Sequence, residues 1–287
     1  MSKTTYTAIG FTAVLLWALL ALFTVATAPV PAFQLNAVTF SVGGVIGLVW
    51  VALTEGFAVL RRVPMRVYVI GTIGLFGYHF LYFTALRMAP AAEAGLIAYL
   101  WPLLIVLFSG LLPGEVLKRG HIIGGLIGFA GAALIVASGA TGFDVAALPG
   151  YALAFLCALF WSGYSIISRG FGAVPTASVA MFCIATAVLS AIAHISLEET
   201  VWPATTLGWA AMLGLGIGPV GIAFYTWDVG VKKGDIQLLG VASYAAPVLS
   251  TLALILAGIA SPTWSLLLAA ALITSGAALA ARASAKA

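Results

Sequence analysis

Charge is what this chain has least of. Only 7% of its 287 residues are Asp, Glu, Lys or Arg, against about a quarter in a soluble domain. Cysteine is nearly absent: Cys157 and Cys183 give no disulfide framework and no metal-ligand spacing, and both fall inside apolar runs as small core residues. An Asp-rich motif, paired histidines and a Ser/His pair at catalytic spacing are all missing. An intramembrane enzyme would lack both an activated nucleophile and clustered acids for a metal, and nothing calls for a cofactor. What remains is apolar: 63% of residues are hydrophobic and mean hydropathy is +1.17. A soluble core cannot absorb so much apolar surface, whereas a bilayer can, and the short connections leave no room for a separate soluble catalytic domain.

The apolar residues form ten runs, near 6–26, 33–53, 66–86, 93–112, 120–138, 149–168, 176–196, 206–228, 236–257 and 263–282. Each is close to the ~20 residues that span a hydrocarbon core as a helix. Ala26-Thr27-Ala28 has the small-residue form of a signal-peptide cleavage site. The run from Phe11 to Ala26 pairs with the sixth run, however, and is read as a span. The pI of 9.2 does not signal a nucleic-acid partner, because the basic residues sit in ones, twos and threes beside span ends, as orientation signals do. With the N-terminus in the cytoplasm, Lys3, Arg61, Arg62, Arg66, Lys118, Arg119, Arg169, Lys232, Lys233, Arg282 and Lys286 lie inside and only Arg87 outside. The acids show no such bias, with Asp144, Glu198 and Glu199 outside and Glu55, Glu115 and Asp235 inside. This is the positive-inside pattern, which counts Lys and Arg rather than net charge. Both termini are therefore expected in the cytoplasm of a multi-pass protein of a bacterial inner membrane.

The second five runs repeat the first five. Trp17 precedes Trp161 and Pro31 precedes Pro175 by 144 residues; Tyr99 precedes Tyr244 and Pro102 precedes Pro247 by 145. Five is odd, so the second copy enters the bilayer from the opposite side. The expected fold is all-α, ten transmembrane helices in two inverted five-helix repeats, 1–142 and 143–287, joined in the Gly/Asp/Pro-bearing stretch 141–148. Inverted repeats are an architecture of secondary transporters, whose site lies where the copies meet near mid-bilayer. Gly43 and Gly47, Gly120, Gly124 and Gly128, and Gly214 and Gly218 follow small-xxx-small spacing, which lets helices approach closely. They read as packing faces, with sliding surfaces the alternative. Gly218 and Pro219 are the expected kink or hinge, since proline removes a helix hydrogen bond among residues of low helix propensity.

Mid-span, charge is scarce again. Glu93, Glu115, Asp228 and Asp235 are expected at span ends, where the interface solvates them, which leaves a nearly uncharged interior. Proline and aromatic residues take the middle. Pro102 and Pro247 fall near the centres of the fourth and ninth runs and free the carbonyls of Ala98 and Ser243. Those carbonyls either accept from an ammonium or another donor in a wet cavity, or are satisfied by neighbouring helices at a simple kink. Tyr6, Trp50, Tyr68, Tyr151, Trp202, Trp209, Trp227 and Trp264 fall near span ends and read as interfacial belt. Trp17, Tyr78, Tyr82, Tyr99, Trp101, Trp161, Tyr164 and Tyr244 lie deeper. Tyr78 with Tyr82, Tyr99 with Pro102, Trp161 with Tyr164 and Tyr244 with Pro247 each share a helix face. Phenol and indole groups need partners that lipid does not offer, so these faces are expected to turn inward, onto an aromatic-lined cavity or into ordinary core packing. His79, beside Tyr78, reads as a polar contact near that cavity; a proton carrier and a structural group are its other readings.

These residues resemble the drug/metabolite transporter superfamily in its EamA-type form. The matching features are Trp17 and Trp161 in the first helix of each copy, Ala98-Tyr99-Leu100-Trp101-Pro102-Leu103, Ser243-Tyr244-Ala245-Ala246-Pro247-Val248, and Gly114-Glu115 after the fourth run. The second copy has Gly258 through Ser261 there, with no acid. The resemblance covers essentially the whole chain and is nearest to bacterial inner-membrane exporters of aromatic amino acids. It implies a permease whose small-molecule substrate is an aromatic or other apolar amino acid or a related metabolite. Trp17, Tyr78, His79, Tyr82, Tyr99, Trp101, Pro102, Trp161, Ser243, Tyr244 and Pro247 would line or gate its cavity. A carrier of cationic drugs, small amines, nucleobases or sugars on the same fold is the alternative. Energy coupling is open between facilitated efflux and weak proton linkage through His79, and oligomeric state is open, a monomer being sufficient.

Overall fold

The computed structural model describes residues 1–140 and 142–285. Lys286 and Thr141, at the expected join, lie outside the described residues. Ten helices long and apolar enough to span a bilayer follow one another: α1 Lys3–Ala26, α2 Ala32–Thr54, α3 Met65–Met88, α4 Ala91–Ser109, α5 Arg119–Val136, α6 Val145–Gly170, α7 Ser178–Leu197, α8 Thr206–Lys233, α9 Ile236–Leu256 and α10 Trp264–Ala285. Among the described residues there is no strand.

The helices depart from regularity in matched places. α4 breaks at Tyr99–Leu100 and restarts at Trp101, and α9 breaks at Ser243–Tyr244 and restarts at Ala245. Pro102 and Pro247 stand in the first turn after each break, where a missing N–H costs least. α3 and α8 each contain a π-helical turn, Ile73–Gly77 and Gly218–Ile222. The second falls on the expected Gly218–Pro219 irregularity; the first is carried by Gly71, Gly74 and Gly77, whose spacing the sequence reading passed over. α1 has a further break at Ala18–Leu19, for which no proline or glycine accounts.

Packing follows a two-fold relation between the copies. α2 lies against α7, α5 against α10 and α4 against α9, while α1 on α8 is matched by α6 on α3. Small residues make the crossings possible. A Cβ on Gly124 would stand 2.5 Å from the Gly276 carbonyl oxygen, and one on Gly43 would stand 2.9 Å from the Gly221 Cα. In a bilayer such close van der Waals contact, with cross-helix hydrogen bonds, replaces the hydrophobic drive of water. Tyr225 Oη donates to the Gly43 carbonyl at 3.0 Å, and Asn36 Nδ2 donates to Ser190 Oγ at 2.7 Å.

Polar contacts mark the two ends of the bundle. Lys3 lies 3.9 Å from Asp235, Lys118 Nζ donates to the Ala283 carbonyl, and Arg169 pairs with Glu115, all at the end that bears the chain termini. Arg87 pairs with Glu198 at the opposite end, at 2.7 Å.

Two expectations need correction. Glu93 and Asp235 stand at the starts of α4 and α9, as expected, but are buried rather than solvated, and α8 runs five residues past the predicted end of its span and holds Asp228 wholly buried within it. Trp227 and Tyr151 are likewise buried rather than part of an interfacial belt, whereas Trp50, Trp202, Trp209 and Trp264 are exposed.

Candidate functional site

Four helices bring their indole rings to one point. Trp17 of α1 lies 5.1 Å from Trp227, 5.7 Å from Trp161 and 6.2 Å from Trp101, centroid to centroid. Trp101 and Trp161 meet edge to face at 6.3 Å, and Trp161 stacks on Trp227 at 6.1 Å. Offset and edge-to-face pairs are the favoured aromatic geometries. Phe224 joins from α8, stacking on Phe40 at 5.3 Å, and Tyr164 joins from α6, 5.4 Å from Trp161. Trp17, Trp101, Trp161 and Tyr164 are thus brought together in one packed cluster. Trp227 and Phe224, which the sequence reading left out, complete the cluster. The signal for Trp227 was its spacing from Asp228 and Lys232, which extends the helix beyond the apolar run.

Polar tips of the cluster divide into satisfied and open groups. The Trp17 indole N–H donates to the Pro219 carbonyl in the π-turn of α8 at 3.0 Å, and Trp227 Nε1 donates to Ser165 Oγ at 3.1 Å. The indole N–H groups of Trp101 and Trp161 and the hydroxyls of Tyr78, Tyr82 and Tyr99 hydrogen-bond to no described residue. Tyr78, Tyr82 and Tyr99 are partly exposed, and the first two lie in the half of α3 that leads to Arg87. Tyr78 stacks on Tyr82 at 6.1 Å and lies 5.6 Å from Trp161. His79 Nδ1 donates to the Leu75 carbonyl at 2.7 Å, and its ring meets Phe40 edge to face at 5.0 Å. A carbonyl only accepts, so Nδ1 carries the proton and Nε2 of a neutral ring is left as an acceptor. Together these groups offer aromatic faces, three phenols, two indole donors and one imidazole nitrogen, a set suited to a ring-bearing ligand with polar ends.

The proline breaks turn out unequal. No described residue donates to the Ala98 carbonyl, as expected. The Ser243 carbonyl is not free: it accepts from Ala246 N at 3.1 Å, because the chain tightens to an i→i+3 bond across the break. Ser243 Oγ donates to the Leu239 carbonyl, and Tyr244 Oη accepts from the Leu103 backbone N–H at 3.1 Å. Tyr244 is wholly buried; it caps the restarted half of α4, so Ser243, Tyr244 and Pro247 pack the wall behind Tyr99 rather than offering it polar groups.

Below the cluster, on the terminus-bearing side, polar groups from both copies tie the helices together. Lys232 Nζ donates to Asp228 at 2.8 Å and to the Val174 carbonyl at 3.1 Å; Ser168 and Thr176 also donate to Asp228. Arg169 pairs with Glu115 and donates to the carbonyls of Val231 and Gly234, while Gln237 Nε2 donates to Glu115. Gly114-Glu115 of the first copy therefore anchors the second. A separate groove of about 290 Å³ opens toward lipid between α1, α2 and α8, lined by Ile9, Ile46, Trp50, Ile222 and Tyr225; none of the expected site residues lines it. Among the described residues no group of three His, Cys, Asp or Glu is placed to hold a metal ion.

Ten apolar spans in two related halves, with an aromatic site between them, define a multi-pass membrane transporter rather than an enzyme. The EamA-like transporter family matches residues 5–137 and 148–282, one copy in each half, and the chain belongs to that family. It is 56% identical over 283 residues, 98% of each chain, to the aromatic amino acid exporter YddG of Ancylobacter novellus. It is 25% identical to the protein of that name in Escherichia coli, over 88% of each chain, and 30% identical to the pseudopaline exporter CntI of Pseudomonas aeruginosa, over 67% of this chain and 66% of the other. A solved crystal structure, 56% identical, superposes with a TM-score of 0.93 over 97% of this chain and 98% of its own.

Proposed function

We propose that this protein exports aromatic and other apolar amino acids, or related metabolites, by alternating access through an uncharged, aromatic-lined site between units 1–142 and 143–287. The observation that carries the reading is identity of 56% along nearly the whole chain to a relative named for aromatic amino acid export. The chemistry of the site agrees with it. Tyr78, Tyr82, Tyr99, Trp101 and Trp161 give an indole or phenyl ring faces to lie against, and the Ala98 carbonyl gives an ammonium an acceptor. With both termini in the cytoplasm, the half of the site that leads to Arg87 opens outward, and the Asp228–Lys232 and Glu115–Arg169 contacts close the cytoplasmic side. Transport then requires those contacts to part while the Arg87 end closes, a rocking of helices that the two-fold packing permits without unpacking either copy. Purified protein in liposomes is expected to release labelled phenylalanine or tryptophan well above empty vesicles. Flux no greater than in empty vesicles across a panel of amino acids would remove the amino-acid reading, and flux of amines, nucleobases or sugars alone would replace it.

A further inference from the structure

Two cations hold the same place in the two copies. Arg87 lies near the end of α3 and Lys232 near the end of α8, 145 residues on, and the π-turns of those helices are separated by the same 145 residues. The register is therefore kept from the turn to the cation. Each cation pairs with one acid, and each acid holds further donors. Glu198 accepts from the backbone N–H groups of Phe33 and Gln34, and Asp228 accepts from Ser168 and Thr176. Either acid stays hydrogen-bonded when its cation leaves, which lowers the cost of lending that cation to another carboxylate.

The two places differ in exposure. The Arg87 side chain is 48% exposed and that of Lys232 only 3%. Lys232 instead borders a small pocket of about 10 Å³ among Val67, Gly71, Tyr164, Ser168 and Phe182. Tyr164 lines that pocket and packs on Trp161 at 5.4 Å, so one ring stands between the aromatic cluster and Lys232. Arg87 lies over the Phe33 ring at 5.5 Å, giving the opposite end the same pairing of cation and aromatic surface. Among the described residues the aromatic cluster has no cation of its own, yet a carboxylate leaving water needs charged donors.

We propose that Arg87 and Lys232 are a repeat-related pair of carboxylate-binding groups, one at each mouth of the pathway. Arg87 meets the carboxylate of an aromatic α-amino acid on the face where its side chain is exposed. Lys232 takes the same part on the terminus-bearing face once the cavity beside it widens. This deepens the amino-acid reading above and rests on it.

The test is competition against labelled L-phenylalanine in proteoliposomes by unlabelled L-phenylalanine and by 2-phenylethylamine, which lacks the carboxylate. The ratio of the two inhibition constants does not depend on how much of a variant folds. In the wild type the amino acid is expected to compete at least about tenfold better, the value of one charge-assisted hydrogen bond. Arg87→Gln is expected to narrow that preference to within about threefold, and so is Asp228→Asn/Lys232→Gln, which avoids a buried unpaired acid. Arg87→Lys is expected to keep it. An amine that competes as well as the amino acid in the wild type overturns the proposal, and so does either neutral variant with the wild-type preference. Loss of all flux in Arg87→Gln supports it if Arg87→Lys still transports and counts against it if that variant is dead too. A wild type that carries no phenylalanine overturns the amino-acid reading itself, a distinct result.

Discussion

α4 and α9 carry the same motif and break at the same place, yet the tyrosine at one break is partly exposed and the tyrosine at the other is sealed. Tyr99 is partly exposed and its hydroxyl bonds to no described residue, whereas Tyr244 is wholly buried and holds the Leu103 N–H. The glycines one turn before each break differ likewise. A Cβ on Gly240 would come within 2.8 Å of Val106 and 3.1 Å of the Pro102 carbonyl, while one on Gly95 would meet only Val136, at 3.3 Å. The helix crossings show the same contrast. α1 meets α8 backbone to backbone at Gly10 and Gly230, and the matching contact of α6 with α3 is made by Ala154 and Ala85. Related sequences thus occupy unlike surroundings: the α9 break and the α1–α8 crossing are tightly packed, and their counterparts at the α4 break and the α6–α3 crossing are looser.

The largest effect is expected at the tight crossing. Gly230→Ala places a methyl against the Gly10 backbone, which cannot rotate away, and overpacking of this kind costs about 3 kcal/mol. Ala85→Gly, the opposite exchange at the looser crossing, gives up one methyl and some helix propensity, about 1 kcal/mol. Thermal unfolding in detergent measures both. Equal losses would mean that the two crossings are packed alike and that the contrast between the ends is wrong.

Next in size is the pair of tyrosines. Tyr244→Phe leaves the Leu103 N–H buried without its acceptor, a loss of about 1–3 kcal/mol. Tyr99→Phe removes a hydroxyl that bonds to no described residue and is expected to leave stability within about 0.5 kcal/mol while altering substrate preference. If Tyr99→Phe destabilises as much as Tyr244→Phe, Tyr99 is a structural residue and not part of the site wall.

Much of this was legible in the sequence, because membrane folding leaves a coarse and honest record. Runs of bilayer length, cations on alternate sides and a constant offset between Trp17 and Trp161 or Pro102 and Pro247 define ten spans in two copies. Trp17, Trp101 and Trp161 could be gathered from their depth alone. What failed was reasoning from apolarity about where a span ends. Asp228 and Lys232 interrupt the apolar pattern, so α8 was cut short there, although residues four apart on a helix neutralise each other and let it continue. Trp227 was lost with them. The fate of the proline carbonyls was also out of reach, since a break exposes a carbonyl only if the next turn does not fold back to it, and Ala246 does so for Ser243. Nor can one sequence motif, present twice, say which copy is buried.

The smallest contrast is between the paired tryptophans, and it isolates a single hydrogen bond. Trp17→Phe and Trp161→Phe remove the same atoms from equivalent positions, so the space left behind is similar and its cost largely cancels in the difference. What does not cancel is the indole N–H. In Trp17 it holds the Pro219 carbonyl inside the π-turn of α8, while in Trp161 it bonds to no described residue. Trp17→Phe is therefore expected to be less stable than Trp161→Phe by about 1 kcal/mol, the net value of a typical buried hydrogen bond. Transport should show the reverse order, with Trp161→Phe changing the preference among aromatic amino acids more than Trp17→Phe. Unfolding of the two proteins in one detergent and flux of phenylalanine and tryptophan in liposomes give both orders. Should Trp161→Phe prove the less stable and the more faithful to wild-type selectivity, the open donors belong to the second copy's partner wall, and the site must be sought on the Trp17 side.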